Sequence, residues 1–262
     1  LYSSAASDVY KSQGHSQTRI GVTGARAAAP VINEFLHERS YGWQSAGQKF
    51  APAFMRHMHD YGTSPEQVAH VKVAHSHHAS NNPKAYYKQR VTVEDVINSR
   101  MICKPLHLLD CCVETDNATA IIVTSIERAK DMRQIPALIR GVVGRVSKPR
   151  ADLYYEAGPI STVAGYYASP RLWRNAGLGP EDVDVTGSYD AFTFTTMLQL
   201  EDYGFCKKGE GGHYVSNGTT FLGGTRPNNT SGGHLCEGYT HGIDMAVSYT
   251  HLRAHETLRY LV

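Results

Sequence analysis

The stretch Asp182-Val183-Asp184-Val185-Thr186-Gly187-Ser188-Tyr189-Asp190-Ala191-Phe192 reads as a strand running into a turn and then a helix. Val183 and Val185 alternate with polar neighbours, the period of a half-buried strand. Gly187-Ser188 breaks that period, and from Phe192 to Tyr203 the apolar residues recur at helical spacing. A side chain on such a turn stands at the C-terminal edge of a sheet and faces a helix N-terminus, where open α/β sheets bind ligands. Downstream lies a Gly-rich pair of turns, Asn229-Thr230-Ser231-Gly232-Gly233 and Gly238-Tyr239-Thr240-His241-Gly242. Glycine lets the backbone come close to a ligand and take positive φ.

Tyr189-Asp190-Ala191-Phe192 resembles the Asn-Glu-Ala-Phe of thiolases and the His-Asp-Cys-Phe of sterol-carrier-protein thiolases. The two Gly-rich turns resemble the thiolase pair Asn-Pro-Ser-Gly-Gly and Gly-His-Pro-x-Gly. Tyrosine stands at both polar catalytic positions, which is similar to the thiolase-fold lipid-transfer proteins and aldolases of steroid side-chain degradation. The resemblance implies a truncated thiolase-like α/β fold. Residues 14–135 would be the end of the N-terminal domain with its helical loop region, and residues 136–246 most of the C-terminal domain. It also implies an acyl-CoA substrate without a further cofactor, a homodimer and, for the aldolases, a small OB-fold partner subunit that binds the acyl-CoA. On the same ground Tyr189 and Tyr239 are the catalytic pair. Asp190, Asn229, Gly232, Gly233, Gly238, His241 and Gly242 then line the substrate site.

Both ends read as foreign to that chain. Ser3 to Lys11 is what a transposase sequencing adapter encodes, and Val247 to Thr257 is what its partner adapter encodes. Residues 1–13 and 247–262 are therefore expected to lie on the surface or to extend from it. The natural sequence would be 14–246, a fragment cut on both sides, with a strand edge left open by the missing N-terminal part.

Composition excludes several classes. Lys+Arg 26 against Asp+Glu 24 leaves a net charge of +2, too little field for nucleic acid or a membrane surface. Apolar runs such as Ala118-Thr119-Ala120-Ile121-Ile122-Val123 are too short to span a bilayer. Five cysteines without a spaced framework fit a cytoplasmic protein.

Along the chain, Phe50, Phe54, Met58 and Tyr61 set a helix over 48–61. Ser64-Pro65-Glu66-Gln67 is a capping box with Pro at the first helical position, starting an amphipathic helix that runs to about Ala79. Asn81-Asn82-Pro83 breaks the chain, and Thr92-Val93-Glu94-Asp95 starts a short helix ending near Ser99. Ala118 to Thr124 reads as a buried strand, followed by a helix from Ser125 to Met132. Past a domain break near Ile135-Pro136, a strand is expected over Ala137 to Arg145 and a helix over Val163 to Ala176, closed by Gly177.

No His or Cys spacing makes a metal site: His75, His77 and His78 sit at a helix end, where the dipole favours a charged imidazole. Lys207 to Gly212 is a mobile Gly-rich loop without the Ser/Thr of a phosphate-binding loop. Cys103, Cys111, Cys112 and Cys206 read as buried small residues, and Cys236 is the cysteine nearest the site. Two chemistries remain open, and so does plain acyl-CoA or lipid binding. One is retro-aldol cleavage of a steroid-type β-hydroxyacyl-CoA. Tyr239 would take the hydroxyl proton and Tyr189 protonate the carbon, or the reverse, while backbone N–H groups of the glycine turns hold the enolate. Tyrosine has a pKa of about 10, so the base needs help from nearby donors. The hydroxyls would stand roughly 4 to 8 Å apart with the substrate between them. The other chemistry is thiolase-type acyl transfer, which needs an upstream cysteine and ordinarily the His that Tyr239 replaces.

Overall fold

A computed structural model describes residues 9–15, 46–133, 136–143, 160–243 and 245–246. The second of the first two helices is the centre of the molecule. Helix α1 spans Ala46–Tyr61 and α2 spans Pro65–Ser80. Ser64 caps α2 as the sequence predicts: its hydroxyl accepts from the Gln67 N–H, and the Gln67 side chain accepts from the Ser64 N–H. Thr92 and Asp95 form the same reciprocal cap on α3, Val93–Asn98.

The sequence predicts an amphipathic α2, but the helix is buried on nearly every side. Val68, Val71, Ala74 and Ala79 are inside, and so are Lys72, His75 and His78. It packs on α3, on α6 (Thr193–Asp202), on α7 (Gly211–Ser216) and on α8 (Gly233–Cys236). The apolar core joins Phe54 of α1, Val71 of α2, Phe194, Met197 and Leu198 of α6, Val215 of α7 and Leu235 of α8. Phe54 and Phe194 stack at 4.6 Å between ring centroids. Their contact adds about 1 kcal/mol to the burial of each ring.

Short antiparallel ribbons flank this core. Strand β2, Met101–Cys103, pairs with β3, Leu106–His107. Strand β4, Asn117–Val123, pairs with β1, Val9–His15, Val9 standing opposite Val123. Residues 9–13 belong to the stretch assigned above to an adapter, and here their backbone occupies an edge of β4. An open edge offers unpaired N–H and C=O groups to any extended chain. Tyr249 and Leu252, like all of 247–262, lie outside the described residues.

Several sequence expectations need correction. The predicted strand at 182–186 is instead a 3₁₀ turn, Pro180–Asp182, followed by one parallel bridge between Thr186 and Asn228. The Asp182 carboxylate accepts from the Gly179 N–H at 2.8 Å, a local closure that competes with extended pairing. Strand β4 is not buried: Ile122 is 64% exposed, because β1 is its one strand neighbour among the described residues. Helix α4 covers only Ile126–Ala129 of the predicted 125–132. Among residues 137–143 no strand forms beyond a single bridging position, and 144–145 lie outside the described residues. Helix α5, Gly165–Ala176, ends as predicted, with Gly177 at φ 66°.

The Lys207–Gly212 segment is pinned rather than mobile. Gly209 and Gly211 N–H groups donate to Glu201 Oε1 at 3.0 and 2.8 Å, and Lys208 bridges Glu201 and Asp202. His57 closes the cluster from α1, its Nε2 lying 3.0 Å from Glu201 Oε2. No helix among the described residues is long and apolar enough to cross a membrane.

A tyrosine pair at the meeting of two turns

The turn before α6 and the turn around α8 are tied together by one asparagine. Asn229 Oδ1 accepts from the Ser188 N–H at 2.8 Å, and Asn229 Nδ2 donates to the Ser188 carbonyl at 2.9 Å. Its side chain thus imitates a strand neighbour for Ser188. The backbone of Asn229 pays for this with φ 46°, in the left-handed region. Next to this tie, Gln199 on α6 grips both backbone groups of Tyr189. Its Oε1 accepts from the Tyr189 N–H at 3.0 Å, and its Nε2 donates to the Tyr189 carbonyl at 2.8 Å. The Tyr239 N–H is held by Thr115 Oγ1 at 3.0 Å.

The two turns bring Tyr189 and Tyr239 together. Their hydroxyls are hydrogen-bonded directly to each other, with no gap of 4 to 8 Å for a substrate between them. His241 Nδ1 lies 3.2 Å from each hydroxyl. Tyr239 is 8% exposed, Tyr189 is partly buried and His241 is exposed, so the pair meets solvent on the His241 side. The His234 ring stands edge-on to both tyrosines, with centroids 4.9 Å away in each case.

Asp190, Asn229, Gly232, Gly233 and Gly238 are all buried. The Asp190 carboxylate accepts from the His234 and Leu235 N–H groups at 2.9 and 3.2 Å. His75 Nδ1 stands 2.9 Å from one of its oxygens and His234 Nδ1 3.1 Å from the other. Burial opposes ionisation of Asp190, but its contacts with the His234 and His75 rings prevail and hold it well below the usual carboxylate range. Gly233 is required at this point: a Cβ there would run into Asp190 Oδ2.

Three of the N–H groups in the glycine turns are already engaged within the fold. The Gly232 N–H donates to the Asn229 carbonyl, and the Gly238 N–H to the Gly233 carbonyl. The Gly242 N–H donates to His234 Nε2 at 3.0 Å. His234 therefore accepts at Nε2 and carries its proton on Nδ1, which lies 3.1 Å from Asp190.

Sequence reasoning missed His75, His234, Asn228 and Gln199. His234 sits inside the quoted Gly-rich stretch and could have been included; His75 is 115 positions from Asp190, with no spacing that would link them. Burial pushes the His78 pKa down to about 4, so this residue is neutral instead of a charged helix terminus. Its Nδ1 faces the Asn229 carbonyl and its Nε2 accepts from the Leu222 N–H. The cysteines are poor thiolates. Burial pushes Cys111, Cys112 and Cys206 up to about 12, and Cys236 up to about 11.

Residues 154–254 match the family described as thiolase C-terminal domain-like. The chain is 39% identical over 234 residues to a 17-hydroxy-3-oxo-4-pregnene-20-carboxyl-CoA lyase of Mycobacterium tuberculosis, covering 88% of this chain and 60% of the relative. It is 39% identical over 207 residues to a steroid side-chain-cleaving aldolase of Thermomonospora curvata, covering 78% of this chain and 53% of the relative. Among solved structures, an Ltp2-ChsH2(DUF35) aldolase superposes with a TM-score of 0.84 at 33% identity, over 96% of this chain and 66% of that one. The chain thus spans just over half to two thirds of the length of these proteins.

Proposed function

This is a chain of the thiolase superfamily, and from that premise we propose that it is part of a carbon–carbon lyase. The reaction is retro-aldol cleavage of a β-hydroxyacyl-CoA with a steroid-type body. The observation that carries this reading is the direct hydrogen bond between Tyr189 and Tyr239 at the place where two glycine-flanked turns meet. One ionised tyrosine takes the substrate hydroxyl proton as the C–C bond breaks, and the other gives a proton to the enolate carbon. Because the hydroxyls touch, substrate meets them from the open His241 side. Asp190 and Asn229, being buried, position the turns, while His241 and Gly242 lie where a thioester would come.

Acyl transfer is the poorer fit. It ordinarily uses, beside an upstream cysteine, the His that Tyr239 replaces. The domain arrangement belongs to the same proposal: residues 14–135 correspond to the end of the N-terminal thiolase domain with its helical loop region and 136–246 to most of the C-terminal domain, in a cytoplasmic homodimer with a small acyl-CoA-binding partner subunit. The matched Ltp2-ChsH2(DUF35) aldolase, named for two components, supports a partner.

The test uses the full-length protein with its natural flanking sequence and partner subunit. Tyr239→Phe and Tyr189→Phe each keep the ring volume, so the fold survives while cleavage of a β-hydroxyacyl-CoA falls about 10² to 10⁴-fold. The double variant is little worse than either single one, because the pair acts as a unit. Near-wild-type cleavage by both single variants would refute the lyase.

A further inference from the structure

The tyrosine pair carries one negative charge when it acts as a base, and that charge has to move. Suppose the Tyr239 oxygen accepts the substrate hydroxyl proton. The electrons of the breaking C–C bond pass to the thioester enolate and a ketone is left behind. The Tyr189 hydroxyl then protonates the enolate carbon and becomes the phenolate. Finally the proton on Tyr239 crosses the hydrogen bond to Tyr189, and the starting state returns with no exchange with water. In the reverse assignment the same steps run with the two names exchanged. Either way, each oxygen is anionic for part of the cycle, and a donor serving only one of them would oppose the transfer.

The groups around the pair can be sorted by what they already do. His234 touches both rings, but its Nδ1 faces Asp190 and its Nε2 accepts from Gly242. Asp190 is an anion behind His234, and His75 faces Asp190 and Asn228. The backbone N–H groups of Tyr189 and Tyr239 are held by Gln199 and Thr115. His241 faces both hydroxyls. Its Nδ1 is 3.2 Å from the Tyr189 hydroxyl and 3.2 Å from the Tyr239 hydroxyl. Its ring lies 4.7 Å from that of Tyr239 and nearly parallel to that of Tyr189, at 19°. The turn holds the residue there at φ 52°, between buried Thr240 and Gly242 at φ 87°.

We propose that His241 is a third catalytic residue, whose Nδ1–H donates to whichever tyrosine oxygen carries the charge and so follows the charge across the pair. The proposal rests on the retro-aldol reading and adds to it an electrostatic donor that faces both oxygens. A preorganised donor of this kind is worth about 10² to 10³ in rate.

The experiment compares wild type, His241→Phe and His241→Gln in the full-length enzyme, with Tyr189→Phe and Tyr239→Phe alongside. His241→Phe should lower kcat/KM about 10² to 10³-fold and move the acid limb of its pH profile to higher pH, since the phenolate loses its donor. His241→Gln retains an N–H donor and should recover part of both effects. Without substrate, the ultraviolet signal of tyrosinate should appear at higher pH in His241→Phe than in wild type. A rise in KM with kcat and the acid limb unchanged would mean that His241 only binds substrate, and would overturn the proposal. So would wild-type behaviour of both His241 variants while the tyrosine variants are inactive. Should His241→Phe not fold, His241→Gln decides by its acid limb and tyrosinate signal. Active tyrosine variants would instead refute the lyase reading itself.

Discussion

Replacing Asp190 by asparagine should damage stability as much as truncating a large apolar side chain at the same depth. The carboxylate is fully buried and faces four nitrogens: His75 Nδ1, His234 Nδ1, and the His234 and Leu235 N–H groups. An amide of the same shape offers one oxygen and one NH₂. Whichever way it is turned, a donor points at a backbone N–H: that of His234 in one orientation, that of Leu235 in the other. The change therefore leaves one donor without an acceptor and removes the anion that His75 and His234 face. Breaking a buried ion pair from one side costs about 3 to 5 kcal/mol. For a chain of this size that lowers the melting midpoint by about 6 to 20 °C. Urea and thermal unfolding of the full-length protein would measure it, with Asp190→Leu as the comparison that removes the polar group altogether. A loss below about 1 kcal/mol for Asp190→Asn would show that the carboxylate is not the anchor described here.

Acid should weaken the fold through His78. Its folded pKa is about 4 because burial disfavours the charged ring, while the unfolded value is near 6.5. The contribution is complete above the unfolded value and is lost as pH falls from there through the folded one, about 3 kcal/mol in all. In urea titrations His78→Gln should flatten that part of the stability profile, and an unchanged slope would refute it. Gly233→Ala should abolish cooperative unfolding, because the new Cβ meets Asp190 and lies 2.7 Å from Asn229 Nδ2. A soluble, cooperatively folded Gly233→Ala variant would contradict that steric argument.

The parts legible in the sequence are those written into neighbouring residues. Ser64 and Gln67 are three positions apart, and their cap follows from that spacing alone. Tyr189 and Tyr239 are not neighbours, but each sits in a recognisable turn, and the resemblance of both frames brings the turns together. Asp190 with His75 and His234 could not be read this way. Its partners come from a helix read as amphipathic and from a second turn, and only packing shows that their rings point inward. The strands failed for a related reason. A strand is stable through its neighbour, and the valines at 183 and 185 alternate whether or not a neighbour exists. The spacing of the hydroxyls was set by reach between side chains, which sequence does not encode.

The grip on Tyr189 has a wider consequence. Gln199 and Asn229 hold the turn entirely through main-chain groups of residues 188 and 189, and Thr115 holds Tyr239 by its N–H. None of these contacts depends on which side chain is carried at 189 or 239. The scaffold therefore works as a socket: its shape is guaranteed by amides that every amino acid except proline presents. A lineage built on such a socket can exchange its reactive groups, amide or imidazole for phenol, without redesigning the support. Saturation at positions 189 and 239 should accordingly yield folded proteins that differ in chemistry, and the socket is where new reactivity should be sought.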